Sequence, residues 1–282
     1  MSLLIALLFL VLGSPMSSSA AVQGDAAHLE PSLTGNPHVL FYEGFSTNQW
    51  IDSFDPEWGP KPAAHGRVVP ADGVPSGRAL RVTYPQGEIG GDSGFQFLSR
   101  FSHLKLEARD EAWVRYYIRF DSDFDFVKGG KLPGLCGGEA NTGGHPSNGK
   151  DGWSARLMWR PGGKVVQYVY YPEQKSIYGD DFEWKIDGKN VHFVPGKWAL
   201  VESRVKLNTP GQHDGEIQSW FNGKEALHVT GLRFRDIPDL KIDVFYFSTF
   251  FGGGDKSWAA KKLEHAEFSG FAIGDGPLGE RK

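Results

Sequence analysis

Ser154-Ala155-Arg156-Leu157-Met158-Trp159-Arg160-Pro161-Gly162-Gly163-Lys164-Val165-Val166-Gln167-Tyr168-Val169-Tyr170 reads as two strands joined by Pro161-Gly162-Gly163. A three-residue hairpin loop built as a type I turn plus a left-handed residue wants Pro first, with φ already set, and Gly last, where φ is positive. Closing that loop pairs Arg160 with Lys164, Met158 with Val166, Arg156 with Tyr168 and Ser154 with Tyr170. Side chains alternate along a strand, so Ser154, Arg156, Tyr168 and Tyr170 share one face. Directly opposed Cβ atoms stand about 5 Å apart, which makes a compact cluster of a guanidinium, a hydroxyl and two phenols. A two-residue loop would slip the register and scatter the partners to opposite faces. Arg–Tyr pairs also decorate ordinary sheets, so the cluster gains its meaning from what surrounds it.

Upstream stands Lys128-Gly129-Gly130-Lys131-Leu132-Pro133-Gly134-Leu135-Cys136-Gly137-Gly138. It is no phosphate loop, because the Gly-Lys-Ser/Thr ending and a following helix are absent. Its glycines allow close backbone approach, and Lys131-Leu132-Pro133-Gly134 can hold an amine stiffly. Taken alone, it would also pass as a turn with surface lysines.

Outward from there, short apolar or alternating stretches recur between Gly, Pro, Asn and Asp clusters. They run at 39–42, 79–84, 94–101, 112–120, 154–159, 165–171, 198–207, 216–221, 241–251 and 267–273. That spacing predicts an all-β fold, an antiparallel β-sandwich or β-jelly roll. Helical patterning is scarce: only Ser257 to Phe268 could hold three turns, and its tail also alternates like a strand. In Ala112 to Phe120, Val114, Tyr116, Ile118 and Phe120 suit the core. Trp113, Arg115, Tyr117 and Arg119 form the other face, read either as a solvated exterior or as a concave sugar-acid surface.

Met1 to Ala20 opens with the apolar run Leu3 to Leu12 and ends in small residues, the pattern of a secretory signal peptide. The run is too short for the roughly twenty residues of a membrane span. Residues 21–37 are small, polar and without period, and are read as a flexible leader. Residues 38–282 then form one domain. A secreted, monomeric protein with no membrane association after signal cleavage is expected.

The net charge of −4 is spread without a basic block, which argues against nucleic acid. An acidic polymer would have to meet a local basic site. Cys136 is the sole cysteine, so no intramolecular disulfide exists, and no His-Asn or His-Asp pattern supports a nucleophile; a buried thiol is expected. The nine histidines show no two- or four-residue pairing that would place two metal ligands on one face, so no metal and no cofactor are expected. His145, His192 and His213 fall in loops, with His213 a distant alternative base.

Lys128-Gly-Gly-Lys-Leu-Pro-Gly-Leu, the Ser-x-Arg strand and the Tyr-x-Tyr strand together resemble polysaccharide lyase family 14. The likeness extends to Leu207-Asn208-Thr209-Pro210-Gly211 with Asp214-Gly215, to Trp220-Phe221-Asn222-Gly223-Lys224, and to Phe247 through Asp255 with Trp258. It implies a β-jelly roll acting on alginate or glucuronate polymers, with Lys131, Ser154, Arg156, Tyr168 and Tyr170 in the site. Lys131 matches the family lysine better than Lys128 does. Cys136 stands where an aromatic or aliphatic residue is commoner.

Such a lyase removes the C5 proton of a 4-linked uronate and expels O4. Charge builds on the adjacent carboxylate as the proton leaves, so a cation or hydrogen-bond donor must take it up. Arg156 offers a bidentate fork, Lys131 a point charge, and Ser154 an orienting hydroxyl. Both cations would favour a phenolate, which makes one tyrosine a base and its neighbour, or itself, an acid. Which tyrosine does which stays open, as do the choice among mannuronate, guluronate and glucuronate, and endo or exo action.

Two rivals remain. A glycoside hydrolase needs paired carboxylates, for which Asp121-Ser122-Asp123-Phe124-Asp125 is the nearest candidate. A non-catalytic sugar-binding sandwich could use the nine tryptophans, but stacking has no use for the Lys-Arg-Tyr-Tyr set.

Overall fold

The computed structural model describes residues 21–282; the signal-peptide reading of residues 1–20 lies outside them. Two large sheets face each other. One runs in the order Asp180–Glu183, Val165–Tyr170, Gly152–Trp159, Gly130–Gly138, Val244–Phe251, Phe95–Arg100, Trp58–Lys61, every neighbouring pair antiparallel. The other runs Gln23–Gly24, Val39–Glu43, Glu264–Gly274, Glu111–Phe120, Ala199–Lys206, Gly215–Phe221, Lys224–Leu232, with Arg78–Tyr84 and Gly66–Pro70 branching from Glu264–Gly274. The result is the expected all-β jelly roll.

Period-two patterning explains the layers. In Val244–Phe251, Phe245, Phe247 and Phe251 enter the core between the sheets, leaving Tyr246, Ser248 and Phe250 on the opposite face. Phe247 stacks on Phe97 at 4.9 Å between centroids and packs edge-on to Phe268 at 5.1 Å. An aromatic core of this kind fixes the sheets by area burial and by offset and edge-to-face ring geometry.

The central hairpin adopts the expected register, with Met158 opposite Val166, Arg156 opposite Tyr168 and Ser154 opposite Tyr170. Its turn differs in kind. Gly162 and Gly163 both have positive φ, 69° and 78°, whereas a type I turn needs a negative φ at Gly162. Loop length still sets the pairing: the Arg160 N–H donates to the Lys164 carbonyl at 2.8 Å and the Gly163 N–H to the Arg160 carbonyl at 2.9 Å.

Three expectations are corrected. Ser257 to Phe268 is no three-turn helix, but one 3-10 turn, Lys256–Trp258, followed by the strand Glu264–Gly274. Pairing on both sides with Arg78–Tyr84 and Glu111–Phe120 overrides the local pattern.

Residues 21–37 are laid on the domain instead of leading to it. Gln23–Gly24 pairs in parallel with Phe41 and Tyr42, Leu33 is fully buried, and the Glu30 carboxylate is bound by the buried Arg115 guanidinium. The outer face of Glu111–Phe120 is neither a sugar surface nor fully solvated: Trp113 and Arg115 are buried, and Arg115 also donates to the Leu278 carbonyl at 2.5 Å.

Breaking a buried ion pair from one side leaves an uncompensated charge, at a cost of about 3 kcal/mol or more. Glu30→Ala is therefore expected to lower the unfolding free energy by that order in urea titrations. In an Arg115→Met background the same change should cost much less, because no charge is left behind.

Candidate active site

The face of the Asp180–Trp58 sheet that turns away from the core carries a cavity of about 530 Å³. Lys131, Thr142, Arg160, Tyr168, Tyr170, Tyr178, Phe250 and Trp258 line it, with Gly90, Gly91 and Gly252 to Gly254 at its margin. Of the residues singled out in the sequence, Lys131, Tyr168 and Tyr170 reach the cavity; Arg156 and Ser154 lie beneath it.

Lys131 comes from Gly130–Gly138, where it sits opposite Met158 of Gly152–Trp159. The strands close on one another because their crossings carry no side chain: a Cβ on Gly134 would lie 2.4 Å from the Ala155 carbonyl oxygen, and one on Gly130 2.1 Å from the Trp159 ring. The Lys131 Nζ lies 3.7 Å from the Tyr168 ring centroid and 2.8 Å from the Met158 sulfur. Lys128 takes another path, its ammonium donating to Ser257 Oγ at 2.6 Å on exposed surface.

Arg156 is fully buried. Its Nη1 donates to Ser248 Oγ at 2.9 Å and its Nη2 to Thr142 Oγ1, while the guanidinium stacks on Tyr246 at 5.0 Å. Nε has no partner. The expected bidentate fork is thus turned to protein hydroxyls, and the charge reaches the cavity through Thr142. Ser154 Oγ donates to the Asn141 carbonyl at 2.7 Å, which ties down the loop bearing Thr142 instead of orienting a substrate carboxylate or a tyrosine.

Among the described residues, no carboxylate lies within ion-pair distance of Lys131 or Arg156. The nearest acid acting on Lys131, Asp181, is engaged by Arg160 at 2.7 and 2.6 Å. Burial first, then Arg156 and Arg160, pulls the Lys131 amine well below the ordinary lysine range. Burial first, then Tyr170, pushes the Tyr168 phenol up; Arg156 and Arg160 oppose this without prevailing. The expectation that the cations favour a Tyr168 phenolate is therefore corrected. Burial thus favours the uncharged form of both groups over what each shows when free in water.

The other candidates lie apart from the cavity. Cys136 is buried beside Leu98, Val244 and Tyr246, where burial pushes its thiol up to about 12. His213 bonds Glu173 at 2.8 Å on exposed surface, and His192 bonds the Asn190 carbonyl. Asp121 pairs with Arg81, Asp123 with Lys262 and Asp125 with Lys261, so the acids proposed for a hydrolase are spent on surface ion pairs.

Sequence reasoning missed Thr142, Arg160 and Tyr178. Arg160 was legible, being two alternations past Arg156 on the same face. Thr142 and Tyr178 sit on loops without period, where nothing local announces them.

A jelly roll whose sheet face gathers an amine and two phenols in one groove, over a buried arginine without an acid partner among the described residues, is the framework of an enzyme for acidic sugar chains. The family model for polysaccharide lyase 14 matches residues 74–271, and the chain belongs to that family; it is a polysaccharide lyase. The structure is similar to the marine family-14 alginate lyase from Aplysia kurodai, with 30% identity over 83% of this chain and 98% of that one and a TM-score of 0.68. It is also similar to a mutant of alginate lyase Aly36B in complex with alginate tetrasaccharide, with 24% identity over 89% and 97% and a TM-score of 0.68. The endo-β-1,4-glucuronan lyase from Trichoderma reesei shares the fold at 13% identity over 84% and 96%, with a TM-score of 0.55. No curated protein sequence matches the chain.

Proposed function

We propose that the chain cleaves a 4-linked uronic-acid polymer of alginate or glucuronan type by β-elimination without a metal ion. One observation carries this reading: a fully buried arginine beneath the cavity with, among the described residues, no acid within ion-pair distance of it. Charges left unpaired in a low-dielectric site are costly unless the ligand supplies the counter-charge. A uronate carboxylate does so, and the related Aly36B complex, which holds an alginate tetrasaccharide, supports the same class of ligand.

In this reading the positive field of Arg156, relayed by the Thr142 hydroxyl, stabilises the charge that gathers on the carboxylate as C5 loses its proton. The Lys131 amine accepts that proton. The C5–H electron pair becomes the C4–C5 double bond, the C4–O4 bond breaks, and the Tyr168 phenol gives its proton to O4. Ser154 and Tyr170 hold the Thr142 loop, Tyr170 through its oxygen, which accepts from the Gly144 N–H at 3.3 Å. Arg156, through the Thr142 hydroxyl, supplies the positive charge a metal would otherwise bring. Secretion, expected from residues 1–20, gives such an enzyme access to an extracellular polymer, and no helix among the described residues is long and apolar enough to cross a membrane.

The test is incubation with mannuronate blocks, guluronate blocks, glucuronan and pectate, reading the ultraviolet absorbance of the unsaturated product. Absorbance should rise on at least one of the first three and survive prior chelation. New reducing ends without absorbance would mean hydrolysis, and tight binding without either would mean a sugar-binding protein.

A further inference from the structure

Three arginines or lysines lie on the cavity side of the central hairpin and its neighbour strand, and they are not equivalent. Arg156 is sealed below the surface and Lys131 faces the Tyr168 ring, whereas Arg160 lines the cavity wall directly. Its guanidinium stands 5.7 Å from the Tyr168 ring centroid and 5.9 Å from that of Trp258, both rings lining the same cavity. Asp181, on the neighbouring strand opposite Tyr168, grips it through Nε and Nη2 at 2.7 and 2.6 Å. That grip consumes one edge of the guanidinium, and among the described residues Nη1 has no hydrogen-bond partner.

We propose that Arg160, aimed by Asp181 and backed by the Trp258 ring, is a second carboxylate-reading subsite, so that the enzyme selects two adjacent uronates instead of one. This rests on the reading of the cavity as a uronate-cleaving site. The geometry suits it. The Lys131 amine and the Arg160 guanidinium lie 3.7 and 5.7 Å from the centroid of the same Tyr168 ring, so a sugar chain laid across that ring meets both. Trp258 offers an aromatic face for the pyranose ring whose carboxylate Arg160 takes, and guanidinium planes match carboxylates bidentately where an ammonium does not. Asp181 is a positioning residue: it fixes the fork so that little side-chain freedom is lost when the sugar arrives. It also screens Lys131 from the Arg160 charge, since the two act on that amine in opposite directions.

The experiment uses the full chain and two probes, the best polyuronate and the same polymer with part of its carboxylates reduced to alcohols. Wild-type enzyme should discriminate against the reduced polymer more steeply than the lost cleavable residues alone require. Arg160→Ala should raise KM by about tenfold or more, the loss of one charge-assisted contact, with a smaller fall in kcat, and should lose most of that discrimination. Arg160→Lys should recover part of the KM and little of the discrimination, and Asp181→Asn should fall between wild type and Arg160→Ala. Thermal unfolding distinguishes a site effect from a folding defect; should Arg160→Ala be unstable, Arg160→Gln carries the same comparison. A KM within about twofold of wild type with discrimination intact would overturn the subsite, as would a kcat collapse at unchanged KM. No absorbance from wild-type enzyme on any polyuronate would instead sink the lyase reading on which the subsite rests.

Discussion

Replacing Lys131 by alanine is expected to lower kcat by at least about a hundredfold while the protein stays folded, since general-base catalysis contributes about a hundredfold to ten-thousandfold. The amine has no ion-pair partner among the described residues to lose, and its removal relieves burial, so unfolding midpoints should not drop. Lys128→Ala is the matched comparison, because that ammonium bonds Ser257 outside the cavity; it should keep most activity. The opposite pattern would mean that the wrong lysine was chosen. The pH profile carries the same information. Only the neutral amine accepts a proton, so kcat/KM should climb with pH through an apparent pKa below the ordinary lysine range, the direction in which burial, Arg156 and Arg160 move it. Arg156→Met removes one of those influences, so the limb should shift to higher pH. A limb unmoved by that change would separate Lys131 from the titrating base.

Tyr168→Phe should have an effect of similar size by another route. The ring stays, and with it the packing surface for Lys131 and the edge-to-face contact with Tyr170 at 5.6 Å. Only the proton donor is lost. KM should remain similar while kcat falls by about a hundredfold or more, since the interaction removed belongs to the transition state. Tyr170→Phe should fall less, because its oxygen accepts from the Gly144 N–H and acts by holding the loop. Near-normal kcat in both single variants and the double variant would sink the tyrosine step. His213, the reserve base in the sequence reading, bonds Glu173 away from the cavity and is not ready to replace it.

The hairpin's register was legible because its information is local: alternation sets the faces and a three-residue loop sets the pairing, so Arg156 met Tyr168 although the turn closed in another conformation than expected. The partners of Arg156 were not. Ser248 lies 92 residues away in sequence and Thr142 on an aperiodic loop, so the fork's direction depends on tertiary packing. The same gap explains the sign error at Tyr168. Two nearby cations suggest a phenolate when only charges are counted, but burial enters with the opposite sign, and a sequence does not display its own desolvation. The docking of residues 21–37 was hidden for a related reason: it hangs on Leu33 and on one carboxylate, Glu30, meeting one guanidinium, with no periodic pattern to betray either.

The sealed guanidinium of Arg156 sets selection for activity against selection for robustness. A buried cation without an acid beside it is a standing liability, because no ion partner offsets the cost of taking its charge out of water. Mutational drift toward Met or Leu at position 156 would thus yield a hardier protein that has lost its hold on anionic sugar. Arginine persists there only while function is selected, and other contacts, such as the phenylalanine stacks between the sheets, must carry the deficit.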